Sequence, residues 1–184
     1  MLQAVCEVKK ADLRNRYRKQ RGQIGGLTEL QIAGLIAALV VASAVAYGYS
    51  TLSTSKAQSE WRLVDGLAAA VRTHWQGQIY PAASLNASLV SNKLVGSLRN
   101  DGVSVIYNSY GQTITVTGAS SNFTISDPGL ASSDCSKVLM SVPGSGYLSV
   151  SVNGGATLTT FPVDDTTANT QCAGAANTIV FTAQ

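Results

Sequence analysis

The sequence has few of the side chains with which enzymes usually carry out catalysis. Among its 184 residues there are one histidine and three cysteines, and only 12% of the residues are charged. His74 alone can complete neither a catalytic triad nor a metal site. The sequence also contains no Walker A loop, no nucleophile elbow and no histidine-rich metal spacing. These absences predict a protein without catalytic activity, without a cofactor and without a bound metal.

The aspartates of the C-terminal half do not form an evident acid–base pair. Asp164 and Asp165 are adjacent, so their carboxylates would point in opposite directions in an extended segment. Asp101, Asp127 and Asp134 lie in turn-type contexts, where aspartate is common because its side chain hydrogen-bonds the backbone. We therefore interpret these carboxylates as structural.

Clustered positive charge is absent from most of the chain. The formal net charge is +3, but residues 1–26 carry seven lysines and arginines against two acids, a net of +5. Residues 27–184 are therefore left with a net charge of −2, and they contain no run of lysine or arginine. A surface of this kind does not attract the phosphate backbone of nucleic acids. We expect no nucleic-acid binding.

Charge is missing altogether from Leu30 to Ser55. At about 1.5 Å per helical residue this segment can cross about 30 Å of hydrocarbon. Because the seven basic residues all precede it, the N-terminus should stay in the cytoplasm and the rest of the chain should be exported. The sequence thus predicts a basic leader, one transmembrane helix and an exported domain.

No proline interrupts residues 27–80, so the apolar helix can continue as one helix of about 50 residues. Beyond Thr51 the helical pattern becomes amphipathic. Its apolar stripe consists of Leu52, Ala57, Trp61, Val64, Leu67 or Ala68, Val71 and Trp75. The charged residues Lys56, Glu60, Arg62, Asp65 and Arg72 are expected to point in other directions.

The remainder of the chain alternates short strand patterns with turns. After Tyr80–Pro81 ends the helix, residues 82–102 carry a short helical pattern, and residues 155–171 are expected to be irregular. The predicted strands are Val103–Tyr107, Gln112–Thr117, Asn122–Ser126 (ended by Asp127–Pro128–Gly129), Tyr147–Val152 and Thr178–Thr182. A helix capped by Ser132 or Ser133 is expected between the third and fourth strands. The pattern predicts an α+β fold with an antiparallel sheet.

The junction Gly25–Gly26–Leu27–Thr28 has its small residues before the apolar segment, unlike an ordinary secretory signal. It resembles the class III signal of type IV prepilins, and the long leader resembles the type IVb branch. The resemblance implies that a prepilin peptidase cuts between Gly26 and Leu27 and methylates the new N-terminus at Leu27. The segments Ser133–Val138 and Cys172–Phe181 are most similar to PilS-type pilins, which form the thin pili of conjugative plasmids and related enterobacterial pili.

The pilin resemblance implies a ladle-shaped α+β fold, in which a long N-terminal helix forms the spine and an antiparallel sheet forms the head. Residues 1–26 would be the removed leader, residues 27–50 the transmembrane or filament-core half of the helix, and residues 51–184 the head. Cys6 leaves with the leader, so Cys135 and Cys172 remain on the exported side, where disulfides persist. We predict that these two cysteines form one disulfide.

The assembly residues depart from the pilin pattern at one position. Pilins usually carry glutamate at mature position five, whereas cleavage after Gly26 places Gln31 there and Glu29 at position three. Either Glu29 pairs with the Leu27 amine of a neighbouring subunit, or it stabilises its own helix N-terminus. The small residues of the span recur at every fourth position: Gly34, Ala38, Ala42 and Ala46. They either allow close helix packing during assembly or belong to a generic alanine-rich anchor.

The function implied by the resemblance is that of a structural subunit, which forms a homo-oligomeric filament for adhesion, aggregation or conjugative mating-pair contact. The subunit would begin in the inner membrane and end in the extracellular pilus. Its partners would be the prepilin peptidase, an assembly platform, a cytoplasmic ATPase, and a minor pilin or cell-surface receptor. The alternatives are a type II secretion pseudopilin, a minor pilin, and a membrane-anchored monomeric binding module.

Overall fold

The computed structural model describes residues 56–184, and its first element is helix α1 over residues 56–74. The apolar stripe predicted for this helix forms its buried face, because residues that recur every three or four positions lie on one side of a helix. The buried members are Ala57, Val64, Leu67, Ala68, Val71 and, just after the helix, Trp75. The first part of the predicted long helix, residues 27–55, lies outside the described residues. Residues 56–184 are the described part of the predicted head, and statements below about the structure of the head refer to them.

The sheet of the head is antiparallel throughout, and its strand order is β1-β2-β3-β4-β6-β5. The strands are β1 Arg99–Asn100, β2 Ile106–Tyr107, β3 Thr113–Ala119, β4 Asn122–Leu130, β5 Tyr147–Val152 and β6 Asn177–Ala183. The last strand of the chain therefore lies between β4 and β5. Alternate residues of β3, β4 and β6 are buried, as expected for a sheet with one apolar face. The structure confirms the predicted α+β fold.

The described residues contain three further helices. They are α2 Asn86–Ser91, α3 Ser132–Met140 and α4 Asp165–Gln171. The α2 helix covers the edge of β3, where the buried Asn86 side chain donates to the carbonyl of Ile114 and accepts from the N–H of Val116, both at 2.8 Å. The amide thus replaces the neighbouring strand that β3 lacks at this point.

Aromatic side chains connect α1 to β5 and β6, at one edge of the sheet. The Trp61 ring lies 5.5 Å from that of Tyr147 on β5 and 5.9 Å from that of Phe181 on β6, measured between ring centroids. The Tyr147 hydroxyl also donates to the Asp65 carboxylate at 3.0 Å. These contacts fix the orientation of α1 on β5 and β6.

The predicted strand Val103–Tyr107 is wrong over its first three residues, since only Ile106–Tyr107 pair as β2. The Asp101 carboxylate accepts the backbone N–H groups of residues 103, 104 and 105 through one oxygen, at 2.8–2.9 Å. Those N–H groups are therefore unavailable to a neighbouring strand, and Val103 is 70% exposed. An aspartate that binds several N–H groups favours a turn over a strand.

The Asp127–Pro128–Gly129 segment does not end its strand, contrary to the sequence prediction. β4 continues to Leu130, and its register against β6 shifts between Asp127 and Leu130. Pro128 has no N–H to donate and Gly129 has a φ of 81°, which fits an irregularity inside a strand. These three residues, which the sequence predicted to form a turn, form a bulge within β4 instead.

The region predicted to be irregular, residues 155–171, contains the helix α4. Asp164 caps this helix, because its carboxylate accepts the Thr167 N–H at 3.0 Å and the Thr167 hydroxyl at 2.7 Å. The predicted serine cap of α3 is also wrong, since its N-cap is Ala131 and no side chain bonds there. Asp164 and Asp165 are a helix cap and a first-turn acid instead of an extended pair.

Within residues 56–184, no helix has both the length and the apolar composition needed to cross a membrane. The predicted transmembrane segment precedes this range.

Candidate functional site

The residues predicted for processing and assembly lie outside the part of the chain that the structure describes. They are Gly26, Leu27, Glu29, Gly34, Ala38, Ala42 and Ala46. Their roles therefore stay predictions. The head itself presents two features of functional interest: a region closed by the disulfide and a group of buried carboxylates.

The predicted disulfide between Cys135 and Cys172 is confirmed. Cys135 lies in α3 and Cys172 directly follows α4, and their Cα atoms are 5.7 Å apart. Both side chains are fully buried, and the bond joins residues 37 apart in sequence. It holds α4 against α3. We call residues 135–172 the disulfide-bracketed region.

An open groove of about 310 Å³ lies on the surface of the disulfide-bracketed region. It is lined by Thr157, Leu158, Thr159, Thr160, Pro162, Val163, Asp164 and Thr167. Two of its polar groups are already engaged, because the Asp164 carboxylate accepts hydrogen bonds from Thr167. The groove thus offers hydroxyl groups, short apolar side chains and the one carboxylate of Asp164, a lining that suits contact with another surface.

A pair of asparagines connects the disulfide-bracketed region to the sheet. The fully buried Asn177 amide donates to the carbonyl of Gly174 at 2.7 Å and to that of Leu130 at 3.2 Å, and it accepts from the Asn153 amide at 2.9 Å. Asn153 has a φ of 53° and accepts the Thr178 N–H. The two side chains therefore fix where β5 ends and where β6 begins.

The buried carboxylates are Glu60, Asp127 and Asp134, which we call the acidic cluster. Glu60 and Asp127 are 0% exposed and Asp134 is 7% exposed. The prediction that Glu60 points away from the core is wrong. It lies three residues after Ala57 and four before Val64, so it belongs to the apolar stripe by spacing. Asp127 and Asp134, predicted to lie in turns, lie in β4 and α3 instead.

Each carboxylate of the acidic cluster accepts one hydrogen bond from the turn between β2 and β3. Ser109 N–H donates to Glu60 Oε2 at 2.8 Å, Asn108 Nδ2 donates to Asp127 Oδ1 at 2.7 Å, and the Tyr110 hydroxyl donates to Asp134 Oδ2 at 3.0 Å. The turn itself is held by Asn108 Oδ1, which accepts the N–H groups of residues 110 and 112. The cluster thus joins α1, β4 and α3 through one hairpin turn.

The second oxygen of each carboxylate has no hydrogen-bond partner within the described part of the chain. Burial and the neighbouring Glu60 carboxylate raise the pKa of Asp127 to about 7, although the hydrogen bond from Asn108 opposes the shift. Burial and the Asp134 carboxylate also raise the pKa of Tyr110, so its hydroxyl stays protonated and donates. The electrostatics favour one retained proton in the cluster.

Metal-binding geometry is not found in residues 56–184. No three histidine, cysteine, aspartate or glutamate side chains there are arranged to hold a metal ion. His74 is exposed at the end of α1, and its ring lies edge-on to Trp75 with 4.4 Å between ring centroids.

Comparison with known proteins identifies the family. Residues 54–184 match the family model described as the PilS N-terminal domain, which covers more than half of the chain. The chain belongs to the PilS family. No curated protein sequence matches this PilS-family chain significantly.

Two solved pilin structures resemble the PilS-family chain. The crystal structure of the type IVb pilin from Salmonella typhi aligns with a TM-score of 0.56 at 20% identity, over 67% of this chain and 97% of that one. The crystal structure of TcpA, a type IV pilin from Vibrio cholerae El Tor biotype, aligns with a TM-score of 0.50 at 18% identity, over 71% of this chain and 99% of that one. The chain thus belongs to the PilS family and shares the fold of these two pilins.

Proposed function

We propose that this protein is the major structural subunit of a type IVb pilus and that it polymerises through its apolar N-terminal helix. The observation that carries the proposal is a PilS-family head that follows an uncharged segment of the sequence, Leu30 to Ser55. A segment of that length can cross a bilayer as a helix before assembly, and afterwards it can lie in the core of a filament. The heads would then cover the outside of the filament.

Processing would take place at the inner membrane. A prepilin peptidase would remove residues 1–26 by cutting between Gly26 and Leu27, and it would methylate Leu27. Residues 27–50 would enter the filament core, while residues 51–184 would form the exported head. Extension would need an assembly platform and a cytoplasmic ATPase, and the sequence itself contains no nucleotide-binding motif.

Assembly would depend on close contact between the apolar helices. The small residues Gly34, Ala38, Ala42 and Ala46 recur at four-residue spacing, which allows neighbouring helix backbones to approach closely. Glu29 would pair with the Leu27 amine of a neighbouring subunit, because an isolated carboxylate at the edge of an apolar core is costly.

The exposed disulfide-bracketed region would make the contacts of the pilus with other surfaces. Its groove of about 310 Å³ carries threonine hydroxyl groups and a single carboxylate, that of Asp164, and the disulfide and the Asn153–Asn177 pair hold the boundaries of the region in place. We propose that this region meets a cell-surface receptor or a minor pilin in adhesion, aggregation or conjugative mating-pair contact.

The mass and N-terminal sequence of the protein sheared from the cell surface test the proposal. We expect a chain that begins at Leu27 and is one methyl group heavier than its sequence, and that forms the bulk of the sheared filament protein. A chain that begins at Met1 and sediments only with membranes would refute filament assembly. A correctly processed chain present in trace amounts would instead indicate a minor pilin.

A matched pair of variants tests the helix stripe. Ala42→Leu adds bulk on the stripe of small residues, whereas Ala44→Leu adds the same bulk about 200° away around the helix. We expect the first variant to be processed normally and to lose sheared filaments, while the second keeps them. Equal yields from both variants would show that the stripe has no role in assembly.

A further inference from the structure

The acidic cluster has more carboxylate oxygens than there are hydrogen-bond donors around them. Glu60 comes from α1, Asp127 from β4 and Asp134 from α3, and together they have six carboxylate oxygens. Within the described residues only three of these oxygens accept hydrogen bonds, all from the turn between β2 and β3. Glu60 Oε1, Asp127 Oδ2 and Asp134 Oδ1 are buried without a hydrogen-bond partner there. A buried ionised oxygen without a donor is strongly unfavourable.

The surroundings of the cluster contain mostly neutral donors. The turn contributes the Asn108 amide, the Ser109 N–H and the Tyr110 hydroxyl. From α1, Lys56 places its Nζ 4.1 Å from the centroid of the Tyr110 ring, at the exposed side of the turn. From α3, the charged residues are Asp134 itself and Lys137, one turn later. Two of the three carboxylates, Glu60 and Asp127, are completely buried, so one proton between them supplies a donor and removes one like charge.

We propose that the acidic cluster is a proton-binding contact between α1 and the rest of the head, in which Asp127 holds a proton on a carboxylate whose Oδ2 is buried without a hydrogen-bond partner in the described residues. Protonated Asp127 adds a donor at Oδ2, where the cluster lacks one. Loss of the proton places a second full negative charge beside Glu60, and the repulsion acts between β4 and α1. The packing of α1 on the sheet is then weakened. The proposal does not depend on filament formation.

The direction of the pH dependence follows from the pKa of Asp127. This pKa is about 7 in the folded head against 3.8 for the ordinary side chain, so the folded state binds the proton more tightly. The stabilisation is complete below pH 3.8 and is lost as the pH rises through about 7. The unfolding equilibrium constant should increase by up to about tenfold per pH unit in this window.

Infrared titration of the full-length chain in non-ionic detergent measures the proton directly. The carbonyl stretch of a protonated carboxyl group should persist in the wild type until the pH reaches about 7. The Asp127→Asn variant should lack that band, whereas Asp165→Asn, which changes an exposed aspartate, should keep it. A wild-type band that disappears with a midpoint near 4, or one unchanged in Asp127→Asn, would overturn the proposal.

Tryptophan fluorescence tests whether the proton controls the packing of α1. Trp61 contacts Tyr147 and Phe181, so in a Trp75→Phe background its emission reports on the contact between α1 and the sheet. We expect the emission to change with the same midpoint as the carboxyl band. A band that titrates near 7 without any change in Trp61 emission would refute control of the packing.

The Glu60→Gln variant provides a second test that keeps Asp127 in place. Removing the neighbouring negative charge should move the midpoint of the carboxyl band down by about one pH unit. An unchanged midpoint in a folded Glu60→Gln protein would show that Glu60 and Asp127 do not interact, and it would contradict the proposed cause of the pH dependence.

Discussion

Removal of the Asn177 side chain should destabilise the head more than its small size suggests. Asn177 is the first residue of β6, and it lies beside the helix–disulfide junction at Cys172. Its amide joins three separate segments: the end of β4 at Leu130, the loop at Gly174 and the turn at Asn153. We expect the Asn177→Ala variant to loosen this junction and to lower the stability of the whole sheet.

The magnitude follows from the hydrogen bonds that the variant loses. Two donated bonds, at 2.7 Å and 3.2 Å, and one accepted bond, at 2.9 Å, disappear from a side chain that is 0% exposed. A net contribution of about 1 kcal/mol for each bond gives a loss of about 3 kcal/mol in the free energy of unfolding. Backbone carbonyls left buried without a donor would add to this loss.

Urea denaturation of the full-length chain in non-ionic detergent, followed by far-ultraviolet circular dichroism, measures the effect. The matched control is Asn169→Ala, which removes the same side chain from an exposed position of α4. We expect its denaturation midpoint to shift much less than that of Asn177→Ala. Equal shifts in the two variants would refute the reasoning, because the loss could not then be assigned to the buried hydrogen bonds.

Three further predictions concern other contacts of the head. Replacing Cys135 and Cys172 by alanine should lower the free energy of unfolding by about 4 kcal/mol, as the entropy of a 37-residue crosslink implies; an unchanged urea midpoint would contradict this. Asn86→Ala should cost about 2 kcal/mol and should accelerate hydrogen exchange at the Val116 amide, whereas unchanged exchange would argue against its role at the β3 edge. Backbone hydrogen bonds lower the pKa of Asp101, so the stabilisation that its carboxylate provides is present above pH 3.8 and is lost as the pH falls through the lower pKa of the folded state. The Asp101→Asn variant should therefore show a weaker loss of ellipticity in acid than the wild type. Equal acid profiles of the two proteins would contradict this.

The sequence predicted the elements that depend on periodicity. The apolar stripe of α1, the strand Tyr147–Val152 and the alternation of Ile114 and Val116 in β3 are all present, because each rests on several residues at a regular spacing. The pairing of Cys135 with Cys172 was predictable because the sequence leaves only these two cysteines after the leader. The residues predicted to assemble the filament lie outside the described residues.

The predictions from the sequence were wrong where one residue type occurs in two kinds of local structure. Aspartate and glycine mark turns, but Asp127 and Gly129 lie in a bulge inside β4, and Asp164 caps a helix. The α4 helix could have been recognised from the cap Asp164 and its partner Thr167 three residues later. Burial of Glu60 was visible in its spacing from Ala57, but its partners come from distant elements, and no local pattern reveals them.

Buried asparagine side chains hold several loops of the head in place. Aromatic residues make up only 7% of the chain, so the loops have few large side chains with which to pack. Buried asparagines take this role at three junctions: Asn86 at the β3 edge, Asn177 at the disulfide-bracketed region, and Asn108 at the acidic cluster. Directional hydrogen bonds hold each loop in one conformation. Among these asparagines, only Asn108 binds a carboxylate in the described residues, so a change of pH near neutrality should act on the packing of α1 and leave the other two junctions intact.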